Sequence, residues 1–178
     1  MKNLLFTLIM CILCLSCATN PFTGKKTMAF MPNTQLLPMA FAEYDKFLSE
    51  NKVIKGTPDA EMITRVGQRI SVAAERWLDA NNHQGYLKYY KWEYNLVDDK
   101  LVNAWCMPGG KIVFYTGILP IAENEAGIAA IMGHEVAHAL ANHGQQRMSA
   151  GMIQQGVGVG VAIATKDKSN SEQSMWMQ

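Results

Sequence analysis

Two segments in the first half of the chain carry apolar residues at the spacing of an α-helix. The first, residues 33–51, accommodates Pro38 because proline is accepted in the first turns of a helix. The second begins with Thr57-Pro58, a favourable N-cap followed by proline at the first helical position, and extends to about Asn81. Its apolar stripe predicts a face that packs in the core, formed by Met62, Val66, Ile70, Ala73 and Ala74.

After Leu87 the helical spacing gives way to the alternation of apolar and polar residues that is typical of β-strands. Three strands are predicted, at residues 92–97, 101–106 and 111–115. The segments between them, Asp98-Asp99-Lys100 and Met107-Pro108-Gly109-Gly110, have the composition of turns. The pattern therefore predicts a three-stranded antiparallel β-meander.

The next helical segment, residues 125–142, is rich in Ala, Ile, Met, Val and Leu and contains no proline. We expect a helix of this composition to be buried nearly all round. The predicted elements together indicate an α+β fold that is mainly helical, with the small sheet next to this helix.

His134-Glu135-Val136-Ala137-His138 in this helix matches the pattern H-E-x-x-H. Residues four apart share one helix face, so the two imidazoles can point at one metal ion. Zinc held by two imidazoles and a third protein ligand lowers the pKa of bound water to about 7, and Glu135 can accept a proton from that water. The alternative is that His134 and His138 are hydrogen-bonded core residues and Glu135 is exposed.

His143 is the nearest further histidine. It follows His134 by nine residues, which on a continuous helix places it half a turn away from the ligand face. Ala141 and Gly144 stand where the pattern H-E-x-x-H-x-x-G-x-x-H has its glycine and its third histidine, so that class is excluded. His143 is therefore not expected at the metal.

A glutamate on a later helix is the other common third ligand. After His138 the only acidic residues are Asp167 and Glu172, both in a polar stretch without apolar periodicity. We expect the third ligand to be a glutamate beyond Gln178, in a longer parent protein, with Glu172 as the alternative within the chain.

The first 17 residues are organised like a bacterial lipoprotein signal peptide. Lys2 supplies a positive charge, and residues 4–15 form an apolar run too short to span a bilayer as a mature helix. Leu15-Ser16-Cys17 resembles a lipobox, whose cysteine is acylated and becomes the mature N-terminus, although Cys14 stands where leucine is usual. Two or more acyl chains on Cys17 would anchor the protein to a membrane, and Ala18 suggests the outer membrane. The alternative is an ordinary signal peptide or a buried apolar segment.

Charge and cysteine content change the picture in two ways. Without Lys2 the chain has 15 basic and 15 acidic residues, so it lacks the excess of positive charge that is typical of nucleic-acid-binding proteins. Cys11 and Cys14 would leave with the signal peptide and Cys17 would be lipidated, so Cys106 remains alone and no intramolecular disulfide is expected. Residues 18–178 suit one domain with its own core.

Three runs of residues together resemble one known family. The first is residues 103–119, which begin with Asn103-Ala104-Trp105-Cys106-Met107-Pro108-Gly109-Gly110 and continue through the third predicted strand to Leu119. The second is the H-E-x-x-H run with Ala139-Leu140-Ala141-Asn142-His143 after it, and the third is Cys17-Ala18-Thr19-Asn20-Pro21-Phe22-Thr23-Gly24-Lys25. The chain resembles the zinc metallopeptidases related to the CAAX prenyl endopeptidase. Within them it is similar to bacterial periplasmic lipoproteins and mitochondrial membrane quality-control proteases.

This resemblance implies a zincin-like domain and a gluzincin site, with zinc on His134, His138 and a downstream glutamate in an E-x-x-A-D setting. That last motif is absent from the chain, so we expect a domain that is incomplete at its C-terminus. The resemblance also implies that the strand around Asn103 and Ala104 lies beside the cleft and pairs with an extended substrate. The alternative is that Asn103 and Gly109-Gly110 serve only hairpin turns.

Two hypotheses on function follow. The first is a lipid-anchored zinc endopeptidase on the periplasmic side of the outer membrane, which hydrolyses misfolded or unassembled envelope proteins with Glu135 as the general base. The second is a catalytically silent envelope module that acts as a chaperone or adaptor, because the third zinc ligand is missing.

Overall fold

A computed structural model of the chain describes residues 17–28, 31–151 and 154. Its strands are β1 (Cys17–Thr19), β2 (Lys26–Met28), β3 (Val53–Ile54), β4 (Glu93–Val97), β5 (Ala104–Met107) and β6 (Lys111–Tyr115). Its helices are α1 (Asn33–Glu50), α2 (Pro58–Ala80), the short α3 (Leu119–Ala122) and α4 (Glu125–Leu140). A 3-10 turn at Thr116–Ile118 leads into α3, and residues 143–151 are again helical.

A four-stranded sheet with the order β3-β4-β6-β5 lies at the centre of the fold. β4 pairs with β6 in parallel, with Val97 opposite Tyr115, and β5 pairs with β6 antiparallel, with Ala104 opposite Phe114. β3 adds a short antiparallel pairing to the other edge of β4, and β1 and β2 form a separate antiparallel ribbon. The predicted α+β class is confirmed.

The predicted antiparallel meander is wrong, because β6 and not β5 lies next to β4. All five residues of β6 are buried, and so apolar a strand takes the central position where both faces of the sheet are covered. The link 98–103 crosses the end of β6, where the Asp99 carbonyl accepts hydrogen bonds from Thr116 Oγ1 and the Gly117 amide, both at 2.8 Å. Neighbouring strands are about 4.8 Å apart, so six residues are enough to cross one strand.

The two faces of the sheet bury different side chains. On one face, α2 and α4 cover the sheet through a core that includes Ile63, Val66, Ile112, Phe114, Ile128, Met132 and Val136. On the other face, α1 packs Tyr44, Phe47 and Leu48 against a second core that includes Val97, Val113 and Tyr115. The domain therefore has three layers: α1, the sheet, and the pair α2 and α4. Within the third layer, α4 packs against strand β5.

The start of α2 confirms the sequence prediction. Thr57 is its N-cap and accepts a hydrogen bond from the Ala60 amide at 3.3 Å, and Pro58 is its first residue. Among the helices of the described part of the chain, none combines the length and apolar content needed to cross a bilayer.

Candidate metal centre

Helix α4 carries the H-E-x-x-H residues, and its N-cap and core face fix its position. Asn124 caps the helix by accepting hydrogen bonds from the amides of Ala126 and Gly127. The buried face, which packs on the sheet and α2, consists of Ile128, Met132, Val136, Ala139 and Leu140. His134 is exposed, and Glu135 and His138 are half-buried. The expectation of a helix buried nearly all round is therefore wrong, since the two histidines lie on the face turned away from the core.

The imidazoles of His134 and His138 approach each other on this face, with their Nε2 atoms 3.0 Å apart. A tetrahedral zinc ion with Zn–N bonds of about 2.0–2.1 Å would hold two such nitrogens roughly 3.3 Å apart. The observed separation fits two ligands of one zinc ion. His134 is exposed, so the pair is accessible from solvent.

His143 lies next to His138, contrary to the helix-face prediction. The Nδ1 atoms of the two rings are 2.6 Å apart. The prediction assumed one continuous helix, but α4 ends at Leu140 and Asn142 adopts a left-handed conformation with φ of 56°. The chain then reverses into the helical residues 143–151, and the reversal brings His143 back to His138. An asparagine just after an apolar helix is a known stop signal, and it could have predicted this reversal.

The contact between His138 and His143 has a consequence for the metal site. Burial lowers the pKa of His143, with the charges of His138, Arg147 and Lys25 acting in the same direction, so the neutral ring is favoured. If His138 offers the Nε2 lone pair to a metal, its proton is on Nδ1 and is donated to Nδ1 of His143. His143 therefore occupies the position from which a neighbouring residue orients a metal-binding histidine.

Glu135 is half-buried on helix α4, which packs against strand β5. Its carboxylate is near the Cys106 thiol, and burial, with the Glu135 charge as a second cause, raises the pKa of that thiol. Cys106 is a free cysteine and stays neutral, so it does not compete as a thiolate nucleophile. The charge of Glu135 is thus felt at strand β5, to which Cys106 belongs.

Strand β5 is an edge strand within the described part of the chain, with β6 as its one neighbour. It packs against α4, and its Ala104 belongs to the core on the α4 side of the sheet. Asn103 precedes the strand, and its carbonyl accepts a hydrogen bond from the Tyr115 amide at 3.2 Å. The edge that a substrate could use is therefore near the histidines, and the role of Asn103 and Ala104 in binding stays a prediction.

For the two glycines after β5, the structure supports the hairpin alternative. The Gly110 amide donates to the Met107 carbonyl at 3.2 Å, with Pro108 and Gly109 as the central residues of the turn. Gly109 has φ of 86°, which a type II turn requires at this position. A side chain there would also collide with Phe41.

Two tyrosines that sequence reasoning missed hold the end of α4. Tyr86 Oη donates a hydrogen bond to the Leu140 carbonyl at 2.8 Å, and Tyr90 Oη donates to the Ala139 carbonyl at 3.2 Å. Burial is the main cause that raises the pKa of both hydroxyls, so both keep their protons and remain donors. The two bonds join residues 54 and 49 positions apart in the sequence, and no local pattern indicates such contacts.

The third ligand is not identified in the described part of the chain, where no group of three His, Cys, Asp or Glu residues is arranged to hold a metal. Asp167 and Glu172, the acidic residues considered from the sequence, lie outside the described residues. His134 and His138 are thus the metal-ligand candidates that the geometry supports.

The fold and the site define the class of protein. An H-E-x-x-H helix that packs on a small sheet, with its two histidines converging beside an edge strand, is the arrangement of a metallopeptidase-type domain. The match to Peptidase family M48 covers residues 65–178, and the chain belongs to this family.

Comparison with curated proteins gives relatives of one kind. The mitochondrial metalloendopeptidase OMA1 of Arabidopsis thaliana is 32% identical over 107 residues, which cover 56% of this chain and 22% of the relative. The OMA1 protein of Schizosaccharomyces pombe is 41% identical over 59 residues, covering 33% of this chain and 18% of the relative. The human protein is 24% identical over 137 residues, covering 75% and 24%. The chain therefore spans less than a quarter of the length of each of these relatives.

Proposed function

We propose that this chain is the metal-binding part of a zinc-dependent endopeptidase that cleaves unfolded or unassembled proteins of the bacterial cell envelope. The convergence of His134 Nε2 and His138 Nε2 on an exposed helix face carries the proposal. Membership of Peptidase family M48 supports it, and so do the relatives, whose names describe them as metalloendopeptidases.

In the proposed mechanism the H-E-x-x-H residues of α4 and the following His143 have separate roles. His134 and His138 would hold zinc, which when bound supplies a polarised, acidic water. Glu135 would accept a proton from the attacking water and would donate it to the leaving amine as the peptide bond breaks. His143 keeps His138 in the tautomer whose Nε2 lone pair is free.

The edge strand β5 suggests how a substrate binds. An extended peptide that pairs with the edge gains main-chain hydrogen bonds that do not depend on its side chains. Such binding selects unfolded segments, since a folded protein has already paired its own strands. Pairing with the edge around Asn103 and Ala104 would thus select unfolded substrates. It would also bring the bound peptide near Glu135.

Cleavage of an unfolded protein is the direct experiment on this function. We expect protein with its complete set of zinc ligands to cleave a chemically unfolded, fluorescently labelled substrate, and a zinc chelator to abolish the cleavage until zinc is restored. The same substrate in its folded form is the control and should remain intact. Binding of the unfolded substrate without any chelator-sensitive cleavage would instead favour the silent chaperone or adaptor module.

The proposed location is the periplasmic side of the outer membrane, with Cys17 as the lipid anchor. Mass spectrometry of the membrane fraction is expected to find an acylated cysteine at the new N-terminus, and Cys17→Ser should release or misroute the protein. Cys106→Ser is the matched control, since Cys106 is a free cysteine of the folded domain. An unmodified N-terminus on the membrane-bound protein would contradict the anchor.

A further inference from the structure

A turn before strand β2 contacts the helix that carries the site, although it has no role in the proposed mechanism. It consists of Asn20-Pro21-Phe22-Thr23-Gly24. Asn20 is only 3% exposed, although asparagine is a polar residue that is mostly found at the surface. A buried amide is costly unless its polar atoms are satisfied, so the partners of Asn20 show what it does.

The oxygen of the Asn20 side chain organises its own turn. Oδ1 accepts hydrogen bonds from the amides of Phe22 at 3.0 Å and Thr23 at 2.9 Å. Two backbone hydrogen bonds close the loop. The backbone N–H of Asn20 donates to the Lys25 carbonyl at 2.9 Å, and the backbone N–H of Gly24 donates to the backbone carbonyl of Asn20 at 2.8 Å. The Phe22 ring then packs edge-on against Trp77 of α2, with ring centroids 5.2 Å apart. The turn is thus a rigid unit docked on the domain.

The nitrogen of the same side chain reaches across to helix α4. Asn20 Nδ2 donates to the Leu140 carbonyl at 2.8 Å and to Tyr86 Oη at 3.1 Å. Tyr86 Oη donates to the same carbonyl. The last carbonyls of a helix have no partner within the helix, and here two side chains from distant parts of the chain supply the donors for Leu140.

Leu140 is two residues after His138, so this bond secures the last turn of α4. His134 and His138 share one face only while the backbone between and beyond them stays helical. The reversal at Asn142, which places His143 beside His138, starts at the same point. Loosening of this turn would separate the two Nε2 atoms and move His143 away from His138.

We propose that Asn20 is a positioning residue for the metal site. From the turn at residues 20–24 it caps the carboxyl end of α4, and it thereby keeps the imidazoles of His138 and His143 in place relative to His134. The part of this role that concerns zinc rests on the proposed function, whereas the capping of α4 does not.

Two substitutions at Asn20 distinguish the role of its side-chain oxygen from that of its side-chain nitrogen. Asn20→Asp keeps the oxygen that organises the turn and removes the nitrogen that donates to Leu140, and Asn20→Ala removes both. In Asn20→Asp we expect the amides of Ala141 and Asn142 to exchange with solvent at least about tenfold faster, and zinc to bind about 10- to 100-fold more weakly at a temperature where the protein is folded. Zinc affinity is measured on the whole chain at pH 7 by competition with a chromophoric chelator.

Asn51→Ala is the matched control. Asn51 Nδ2 donates to the Phe47 carbonyl at 2.7 Å at the end of α1, so it is the same kind of cap on a helix without the site. We expect this variant to lower the melting temperature and leave zinc affinity and the exchange of Ala141 and Asn142 unchanged. Asn20→Ser is the second variant if Asn20→Asp does not fold, because its neutral hydroxyl can still accept hydrogen bonds from the amides of the turn but is too short to reach the Leu140 carbonyl.

The positioning role is overturned if folded Asn20→Asp shows wild-type exchange and zinc affinity, or if Asn51→Ala weakens zinc binding by the same factor. If Asn20→Asp does not fold, wild-type exchange and zinc affinity in folded Asn20→Ser overturn it as well. A wild-type chain without affinity for zinc would contradict the proposed function alone, and the exchange rates of Ala141 and Asn142 would still decide whether Asn20 holds the end of α4.

Discussion

Replacement of Glu135 by glutamine is expected to lower kcat/KM for peptide hydrolysis by about two to four orders of magnitude while zinc stays bound. Glutamine has nearly the same shape as glutamate but cannot accept a proton at neutral pH. The metal-ligand candidates are His134 and His138, so the substitution removes the base and leaves the ligands. Steady-state hydrolysis of an unfolded substrate and metal analysis of the same preparation measure the two effects separately.

Glu125→Gln is the matched control for this prediction. Glu125 is on the same helix, ten residues before Glu135, and its carboxylate binds Arg65 at 2.9 Å and Arg69 at 2.8 Å. These ion pairs are exposed and contribute little to stability, so hydrolysis by this variant should stay close to that of the wild type. Equal loss of activity in the two variants, or loss of zinc in Glu135→Gln, would contradict the role of Glu135 as a base.

The histidine substitutions are expected to form a graded series in zinc affinity. His134→Ala and His138→Ala each remove a direct ligand and should abolish measurable zinc binding. His143→Ala removes the residue that orients His138 and should weaken binding by about 10- to 100-fold, as is usual for partners of metal-binding histidines. Zinc titration of the three folded variants measures this order.

His83→Ala serves as the control, since it is the remaining histidine of the chain and lies near the end of α2 rather than on α4. Its zinc affinity should equal that of the wild type. If His143→Ala binds zinc as tightly as the wild type, the contact between His138 and His143 has no part in metal binding. If it abolishes binding as completely as the other two, His143 acts as a direct ligand.

Local patterns predicted the elements that depend on local interactions. Thr57 and Pro58 marked the start of α2, and the spacing of His134 and His138 was sufficient to place both on one face of α4. These features depend on residues within one or two turns of each other. The prediction of the α+β class rested on the same kind of signal.

The errors arose where the result depends on packing between distant residues. The turn-like composition around Asp99 suggested a hairpin, whereas the burial of β6 on both faces decided the strand order. The position of His143 depended on one left-handed residue, Asn142, which ends the periodicity on which the helix-face argument relied. The bonds of Asn20 and Tyr86 to Leu140 join residues 120 and 54 positions apart, which no single-sequence pattern encodes.

With a lipid anchor on Cys17, the short distance between Cys17 and Asn20 would keep the site close to the membrane. Strand β1 spans Cys17–Thr19, and three extended residues cover about 10 Å. With the proposed acyl chains on Cys17, the end of α4 would lie about that far from the lipid headgroups. Peptides attached to the same membrane would then meet the site by lateral diffusion, at an effective concentration far above that of the same peptides free in solution. With such an anchor, the site would cleave chains held at the membrane in preference to chains free in the surrounding compartment.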